Sequence, residues 1–175
     1  ALDQVYDALV RKVNGKFCGQ LAESWEISDD GLTYTFHINP DAKFSDGTEV
    51  KAANFVKAWN WNRAGANGTL NSYFFDVIDG AADMDCGLVK VKDKETGEDV
   101  EQPDCDKKPA KTEELSGLKI VDDYTFTIKT TEKDSNPLAR PGHSAPAPSP
   151  HPCLADNGKA YAPKPAGAGP YTRAS

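Results

Sequence analysis

The chain has 175 residues, of which 27% are charged and 38% hydrophobic, and its formal net charge is −7 at pH 7. These values are typical of a globular protein with room for one domain and a hydrophobic core. The acidic balance argues against a nucleic-acid partner, and no apolar run approaches the roughly 20 residues that span a bilayer.

The first predicted element is a short amphipathic helix at the start of the chain. Its apolar residues recur at helical spacing, namely Leu2, Val5, Tyr6 and Leu9. Asn14-Gly15 then predicts a turn between short extended segments. No basic stretch precedes an apolar one, so we expect no signal peptide within this chain.

Two β-hairpins are predicted, at about 24–38 and 118–128. In the first, apolar residues alternate with polar ones on both sides of the Asp30-Gly31 turn, namely Trp25, Ile27, Leu32, Tyr34, Phe36 and Ile38. In the second, the alternating apolar residues are Leu118, Ile120, Tyr124, Phe126 and Ile128. We expect both hairpins to lie in one sheet, with Trp25, Ile27, Tyr34 and Phe36 sharing a buried face with Leu118, Ile120, Phe126 and Ile128.

A helix is predicted at about 52–64, after a turn at Asp46-Gly47. Residues on one side of it form an apolar stripe that the stem of Arg63 extends, namely Ala52, Phe55, Val56 and Trp59. Gly65 is expected to end this helix. A second short helix is predicted at 72–80, and the polar region 85–116 is interpreted as an inserted loop.

Four cysteines stand at positions 18, 86, 105 and 153, without a Cys-x-x-Cys pair that would indicate zinc. Cys86 and Cys105 flank a charged stretch, and we predict that they form a disulfide, which would stabilise by roughly 3 kcal/mol. The alternative is two unpaired thiols in a reducing compartment. Cys18 and Cys153 are less expected to pair, although four cysteines allow three pairings.

The tail differs in composition from the rest of the chain. Nine of the 12 prolines lie between Pro137 and Pro170. Because each proline removes a backbone donor, this composition favours polyproline II or disorder. We therefore divide the chain into a folded region, 1–135, and a poorly ordered proline-rich segment, 136–175.

No catalytic residues, metal site or cofactor are predicted. Asp29-Asp30 and Asp122-Asp123 lie at hairpin turns, where Asp is favoured. His143, His151 and Cys153 fall in the proline-rich tail, which would not hold a metal in a fixed geometry. No nucleophile elbow, phosphate loop or dinucleotide motif is present.

The order of these elements resembles the extracellular solute-binding proteins of family 5, the peptide and dipeptide receptors of ABC importers. The resemblance is carried by Tyr6-Asp7-Ala8-Leu9-Val10-Arg11, Leu21-Ala22-Glu23-Ser24-Trp25, Phe44-Ser45-Asp46-Gly47-Thr48 and Gly169-Pro170-Tyr171. It spans nearly the whole chain but only the N-terminal part of the family.

The resemblance implies an α+β fold, with antiparallel hairpins packed against a few helices in lobe I of a two-lobe periplasmic-binding-protein-like type II fold. It implies a non-enzymatic receptor that captures oligopeptides or dipeptides in the periplasm or on the outer face of the cell membrane. ABC permease subunits would be its partners, and a lipid anchor outside this chain its link to the membrane.

The resemblance also implies that segment 71–75 borders the ligand cleft, so Tyr73 and Phe74 are the expected ligand contacts. The alternative is that Phe74, Phe75 and Ile78 are core contacts of a short helix. A different function is a secreted hydrolase or a carbohydrate-binding module that uses Trp25, Trp59 and Trp61, although Trp25 and Trp59 fit the core better.

The sequence departs from the family pattern at three places. Lys51 stands where the family has a Thr or Ser, and it cannot accept the first-turn amides of the helix, so we expect a helix start weaker by about 1 kcal/mol. Ala168 stands where the family has Asn. Prolines occupy 137–154, where the family has apolar strand residues.

Overall fold

A four-stranded antiparallel sheet organises the chain. The computed structural model describes residues 7–94, 97–134, 138–141, 147–149 and 167–168. Its strands are β1 (Val10–Val13), β2 (Lys16–Gly19), β3 (Ala22–Ile27), β4 (Thr33–Ile38), β5 (Leu88–Lys92), β6 (Asp99–Pro103), β7 (Leu118–Asp122) and β8 (Thr125–Lys129). Its helices are α1 (Ala52–Arg63) and the short 3₁₀ helices Gly65–Asn67, Ser72–Phe75 and Ala81–Met84.

Both predicted hairpins are confirmed, and they lie in one sheet with the strand order β3-β4-β8-β7. The first hairpin turns at Gly31, whose φ of 70° suits glycine. Asp30 fixes this turn because its carboxylate accepts hydrogen bonds from Ser28 Oγ at 2.5 Å and from the N–H of Leu32 at 2.9 Å. These bonds lower the pKa of the Asp30 carboxyl.

The shared buried face is confirmed for the inner strands and for Leu118 on the outer strand β7, and it is wrong at two other positions on the outer strands. Tyr34, Phe36, Leu118, Phe126 and Ile128 are buried, and Trp25 packs partly buried against them. Ile27 and Ile120 lie on the expected face, opposite Tyr34 and Phe126, but are 41% and 49% exposed. Both residues lie on edge strands of the sheet, β3 and β7.

Helix α1 packs on this sheet with the predicted stripe, since Ala52, Phe55, Val56, Trp59 and Arg63 are all buried. The ring of Phe55 stacks on Phe126 of β8, with centroids 5.4 Å apart. No side-chain cap bond comes from Lys51, as expected for an ammonium group, although Asn54 Oδ1 accepts from the Lys51 N–H at 2.8 Å. The Lys51 ammonium instead donates to Asp123 Oδ2 at 2.8 Å.

Helix α1 ends just before Gly65, as expected, with Ala64 as its C-cap, and Gly65 begins a 3₁₀ helix. Two other sequence-based interpretations need correction. The helix predicted at 72–80 is only the 3₁₀ helix Ser72–Phe75, because Gly80, at φ 88°, precedes a separate turn. The supposed loop 85–116 contains the β5–β6 hairpin, whose strands place Lys90 opposite Glu101 and Lys92 opposite Asp99.

The chain termini fall largely outside the described residues. Of the four apolar residues that predict an N-terminal helix, only Leu9 is described; it is buried, lies outside any helix and directly precedes β1. The expectation of poor order in 136–175 also falls mostly outside the described residues. Within it, Leu138 and Ala168 join the hydrophobic core, and Gly167 O accepts from the N–H of Ser45 at 2.8 Å.

None of the helices in the described part of the chain combines the length and the apolar character needed to cross a membrane.

Candidate ligand-binding site

The 3₁₀ helix Ser72–Phe75 divides three consecutive aromatic residues among three environments. Because a 3₁₀ helix has three residues per turn, successive side chains point in different directions. Tyr73 is 56% exposed, Phe74 is partly buried, and Phe75 is 2% exposed within the core. The rings of Tyr73 and Phe74 are in contact, with centroids 4.5 Å apart. The segment Ser72–Phe75, called the aromatic step below, therefore runs from the surface into the core.

An apolar cavity of about 50 Å³ opens beside Phe74. Its walls come from the sheet, from α1 and from the residues that follow the 3₁₀ helix, and include Tyr34, Trp59, Phe74, Ile78, Ile128 and Arg140. A water needs roughly 10–15 Å³, so the cavity has room for a small apolar group. Its contents would be held by shape and hydrophobic contact.

Arg140 provides the charged rim of this cavity. Its Nη1 donates to the carbonyl oxygens of Tyr73 at 3.3 Å and of Phe74 at 3.2 Å. Its Nε lies 3.6 Å from Asp134 Oδ2, which forms an ion pair at the cavity edge. The guanidinium thus fixes the backbone of the aromatic step and places a cation beside an apolar surface.

The inner wall stays uncharged over the physiological pH range. Burial raises the pKa of the Tyr34 phenol, and the charge of Asp134 raises it further. The Tyr34 hydroxyl donates to the Gly31 carbonyl oxygen at 2.9 Å, so this buried polar group is satisfied within the hairpin. The cavity therefore combines an apolar interior with a charged edge.

Tyr73 and Phe74 are thus brought together, with Tyr73 exposed and Phe74 on the cavity wall, while Phe75 and Ile78 belong to the core. The sequence analysis missed Arg140 and Asp134, because they lie next to or within the proline-rich segment and no local pattern links them to the 3₁₀ helix. Only the tertiary fold brings them to Tyr73.

The cysteines occupy separate places in the structure. A disulfide joins Cys86 to Cys105, the pairing expected from the sequence, with 4.9 Å between the Cα atoms. Cys18 is an exposed free thiol on β2. Cys153 lies outside the described residues. The described part of the chain holds no group of three or more His, Cys, Asp or Glu side chains arranged to bind a metal ion.

Two of the three tryptophans considered for a sugar-stacking platform, Trp59 and Trp25, pack against the core. Trp59 is 3% exposed and packs between Phe55, Phe75 and Phe126, so its faces are covered. Trp25 is partly buried against the core. The acidic pair Asp122-Asp123 serves its turn, since Asp122 Oδ1 accepts from the N–H of Tyr124 at 2.8 Å.

Comparison with known proteins places this architecture in a family. The model for "Bacterial extracellular solute-binding proteins, family 5 Middle" matches residues 16–175. The chain is 31% identical over 150 residues to the periplasmic oligopeptide-binding protein OppA of Haemophilus influenzae, a match that covers 86% of this chain and 24% of that protein.

Solved structures agree with this match. OppA of Haemophilus influenzae, in complex with the peptide RPPGFSPFR, superposes with a TM-score of 0.69 at 25% identity, covering 98% of this chain and 30% of that one. OppA of Listeria monocytogenes bound to peptide gives a TM-score of 0.76 at 24% identity, covering 98% and 30% of the respective chains. The predicted fold is thereby confirmed, for a chain that spans about a quarter of the length of the curated relative it matches. The chain belongs to the bacterial extracellular solute-binding proteins of family 5.

Proposed function

We propose that the protein to which this chain belongs captures oligopeptides or dipeptides and delivers them to the permease of an ABC importer. The observation that carries the proposal is the 150-residue match to an oligopeptide-binding protein, over 86% of this chain. Family members are extracellular, so the chain works outside the cytoplasmic membrane.

In this proposal Tyr73 and Phe74 contact the ligand. The exposed Tyr73 ring offers a flat apolar surface with a polar hydroxyl, a combination that suits peptide side chains of varied chemistry. Phe74 supports that ring and separates it from the core. Peptide main chain would be held by backbone hydrogen bonds, which tolerate different sequences.

The protein acts by binding, without making or breaking a bond. The alternative is a secreted hydrolase or a carbohydrate-binding module. The burial of Trp59 argues against the carbohydrate-binding module, because its ring is not open to a sugar. Incubating the intact protein with peptides and glycans separates these functions. We expect intact substrates after incubation and heat released on peptide titration; peptide or glycan turnover without stoichiometric binding would contradict the proposal.

The role of Tyr73 is tested in the same intact protein. We expect Tyr73→Ala to weaken peptide binding about tenfold, because it removes one aromatic contact, while Tyr73→Phe keeps most of the affinity. Leu70→Ala is the matched control, since Leu70 is an apolar residue just before segment 71–75 and is 92% exposed. Equal losses in Leu70→Ala and Tyr73→Ala would remove Tyr73 from the site.

A further inference from the structure

Arg63 is a buried cation with no part in the proposal above. It occupies the last turn of α1, and its side chain is only 7% exposed. Nη1 donates a hydrogen bond to Asp85 Oδ1 at 2.6 Å. Nε lies 3.1 Å from Asp76 Oδ1 without the geometry of a hydrogen bond, so this second contact is an ion pair. Both carboxylates are more than half exposed, so the buried partner in this arrangement is the guanidinium. Such a group is costly to bury unless its partners hold it.

The first partner, Asp76, directly follows the aromatic step at the end of the 3₁₀ helix Ser72–Phe75. Its N–H donates to the Tyr73 carbonyl oxygen at 3.4 Å. One turn before Arg63, Trp59 lies 5.6 Å from Phe75 between ring centroids. Helix α1 therefore holds the aromatic step by a ring contact at one point and by the Arg63 charge at another.

The second partner, Asp85, directly precedes the Cys86–Cys105 disulfide. This disulfide lies against the end of α1, because a Cβ added at Gly65 would be 3.3 Å from Cys86 Sγ and 3.1 Å from Met84 O. The bridge thus restrains the chain next to Asp85 and keeps that carboxylate on Arg63.

We propose that Arg63 is the positioning residue of the Tyr73–Phe74 segment, and that the Cys86–Cys105 disulfide, through Asp85, sets how firmly Arg63 holds this segment. The coupling runs from the disulfide to Asp85, Arg63 and Asp76 and ends at Tyr73. It is a property of the fold; its consequence for peptide affinity rests on the proposed function.

A dithiol reductant would release this restraint. Cys86 is 7% exposed and Cys105 is partly exposed, so a thiolate of the reductant attacks the Cys105 sulfur and forms a mixed disulfide with it. The sulfur of Cys86 leaves as a thiolate and takes up a proton. The second thiol of the reductant then displaces Cys105, so two electrons and two protons pass to the cysteines while the reductant becomes a disulfide. Backbone bonds remain at the base of the β5–β6 hairpin, including Gly87 N–H to Lys108 O at 2.9 Å. The loosening is therefore local.

Amide hydrogen exchange of the intact protein, without peptide, tests the coupling. The reporters are the backbone N–H groups of Phe74, Asp76 and Ile78. They donate to the carbonyl oxygens of Asn71, Tyr73 and Phe75, respectively. We expect dithiothreitol to raise their exchange about tenfold and to leave β4 and β8 unchanged, since local opening differs from global unfolding. Faster exchange between 86 and 105 alone, with the three reporters unaffected, would overturn the proposal.

Variants test whether Arg63 carries the effect. In Arg63→Met the reporters should exchange fast already in the oxidised protein, and reduction should add nothing further to them. Asp76→Asn removes the same pair from its exposed side and should give the same local rise. Arg63→Lys should fall between Met and the parent, because one ammonium cannot replace the fork of a guanidinium.

Lys111→Met is the matched control, since Lys111 pairs with Asp83 at 2.8 Å and is 82% exposed. It should leave the reporters unchanged. If Arg63→Met raised exchange equally in the sheet, Arg63 would be a general stability residue. If reduction still raised exchange of the reporters in that variant, the disulfide would act on them without Arg63. Either result would overturn the proposal. Absence of peptide binding in the oxidised and reduced parent protein and in all variants would refute the proposed function. It would not affect the conclusion from hydrogen exchange.

Discussion

Phe36 is fully buried at the centre of the four-stranded sheet. It lies opposite Phe126 with 5.8 Å between ring centroids, and Phe126 in turn stacks on Phe55 of α1. The neighbouring Thr35 points to the other face and is only partly buried. Substitutions at these two adjacent residues therefore compare the contributions of the two faces of β4 to stability.

We expect Phe36→Ala to lower the free energy of unfolding by roughly 3–5 kcal/mol, because a buried ring is lost and a cavity is left in the core. Thr35→Ala should change it by less than about 1 kcal/mol. Urea denaturation of both variants measures the difference. Similar losses at the two positions would mean that both faces of the sheet carry core packing.

Alternation in the sequence identifies the face of a side chain but not the cover above it. It predicts correctly that Tyr34 and Phe36 face the core, and it puts Ile27 and Ile120 on that face as well. Their exposure depends on the strand order, which a local pattern does not contain. The position of Arg140 could not be predicted for the same reason. Its hydrogen bonds to the carbonyls of Tyr73 and Phe74 join residues that are 67 and 66 positions apart, respectively.

Helix α1 is an element whose start is weak and whose packing is strong. Its stripe meets the sheet through Phe55 and Trp59, whereas its first turn begins at Lys51 without a side-chain cap. The ammonium of Lys51 pairs with Asp123 at the surface, an interaction that contributes little when solvent-exposed. The tertiary contacts of α1 therefore outweigh its unfavourable N-terminus.

Lys51→Ser should raise the free energy of unfolding by about 0.5 kcal/mol, since a cap hydroxyl contributes about 1 kcal/mol and the loss of the surface pair offsets part of it. Lys57→Ser is the control, because Lys57 is exposed in the middle of the same helix. It should lower stability by about 0.5 kcal/mol through helix propensity. Thermal unfolding of both variants shows whether the cap or the ion pair dominates at position 51.

Elements with strong local signals were predicted, and those that depend on partners were not. The two hairpins and α1 follow from alternation, from the Asp-Gly turns and from the apolar stripe. The β5–β6 hairpin was missed because β6 (Asp99–Pro103) is exposed along its whole length and has only Val100 as an aliphatic residue. Its register places opposite charges across the two strands, a pattern that becomes visible only once the strands are paired.

At the scale of the whole molecule, the chain forms a sheet, a helix and an aromatic step but spans 24% of the length of its oligopeptide-binding relative. The family resemblance implies a ligand enclosed between two lobes that close on a hinge. In the proposed function, the Tyr73 ring, the Phe74 wall and the Arg140 rim would form one side of that site. On this proposal, high affinity requires the intact protein.

We expect the isolated 175-residue chain to bind peptides no better than roughly millimolar, about −4 kcal/mol. A ligand held on one side keeps most of its backbone in water, where hydrogen bonds contribute little net free energy. One exposed aromatic residue, Tyr73, cannot offset the entropy lost on association. Calorimetric titration of di- to pentapeptides into the chain and into the intact protein measures both affinities under the same conditions. Micromolar binding to the isolated chain that Tyr73→Ala abolishes would instead show that these residues hold a complete site.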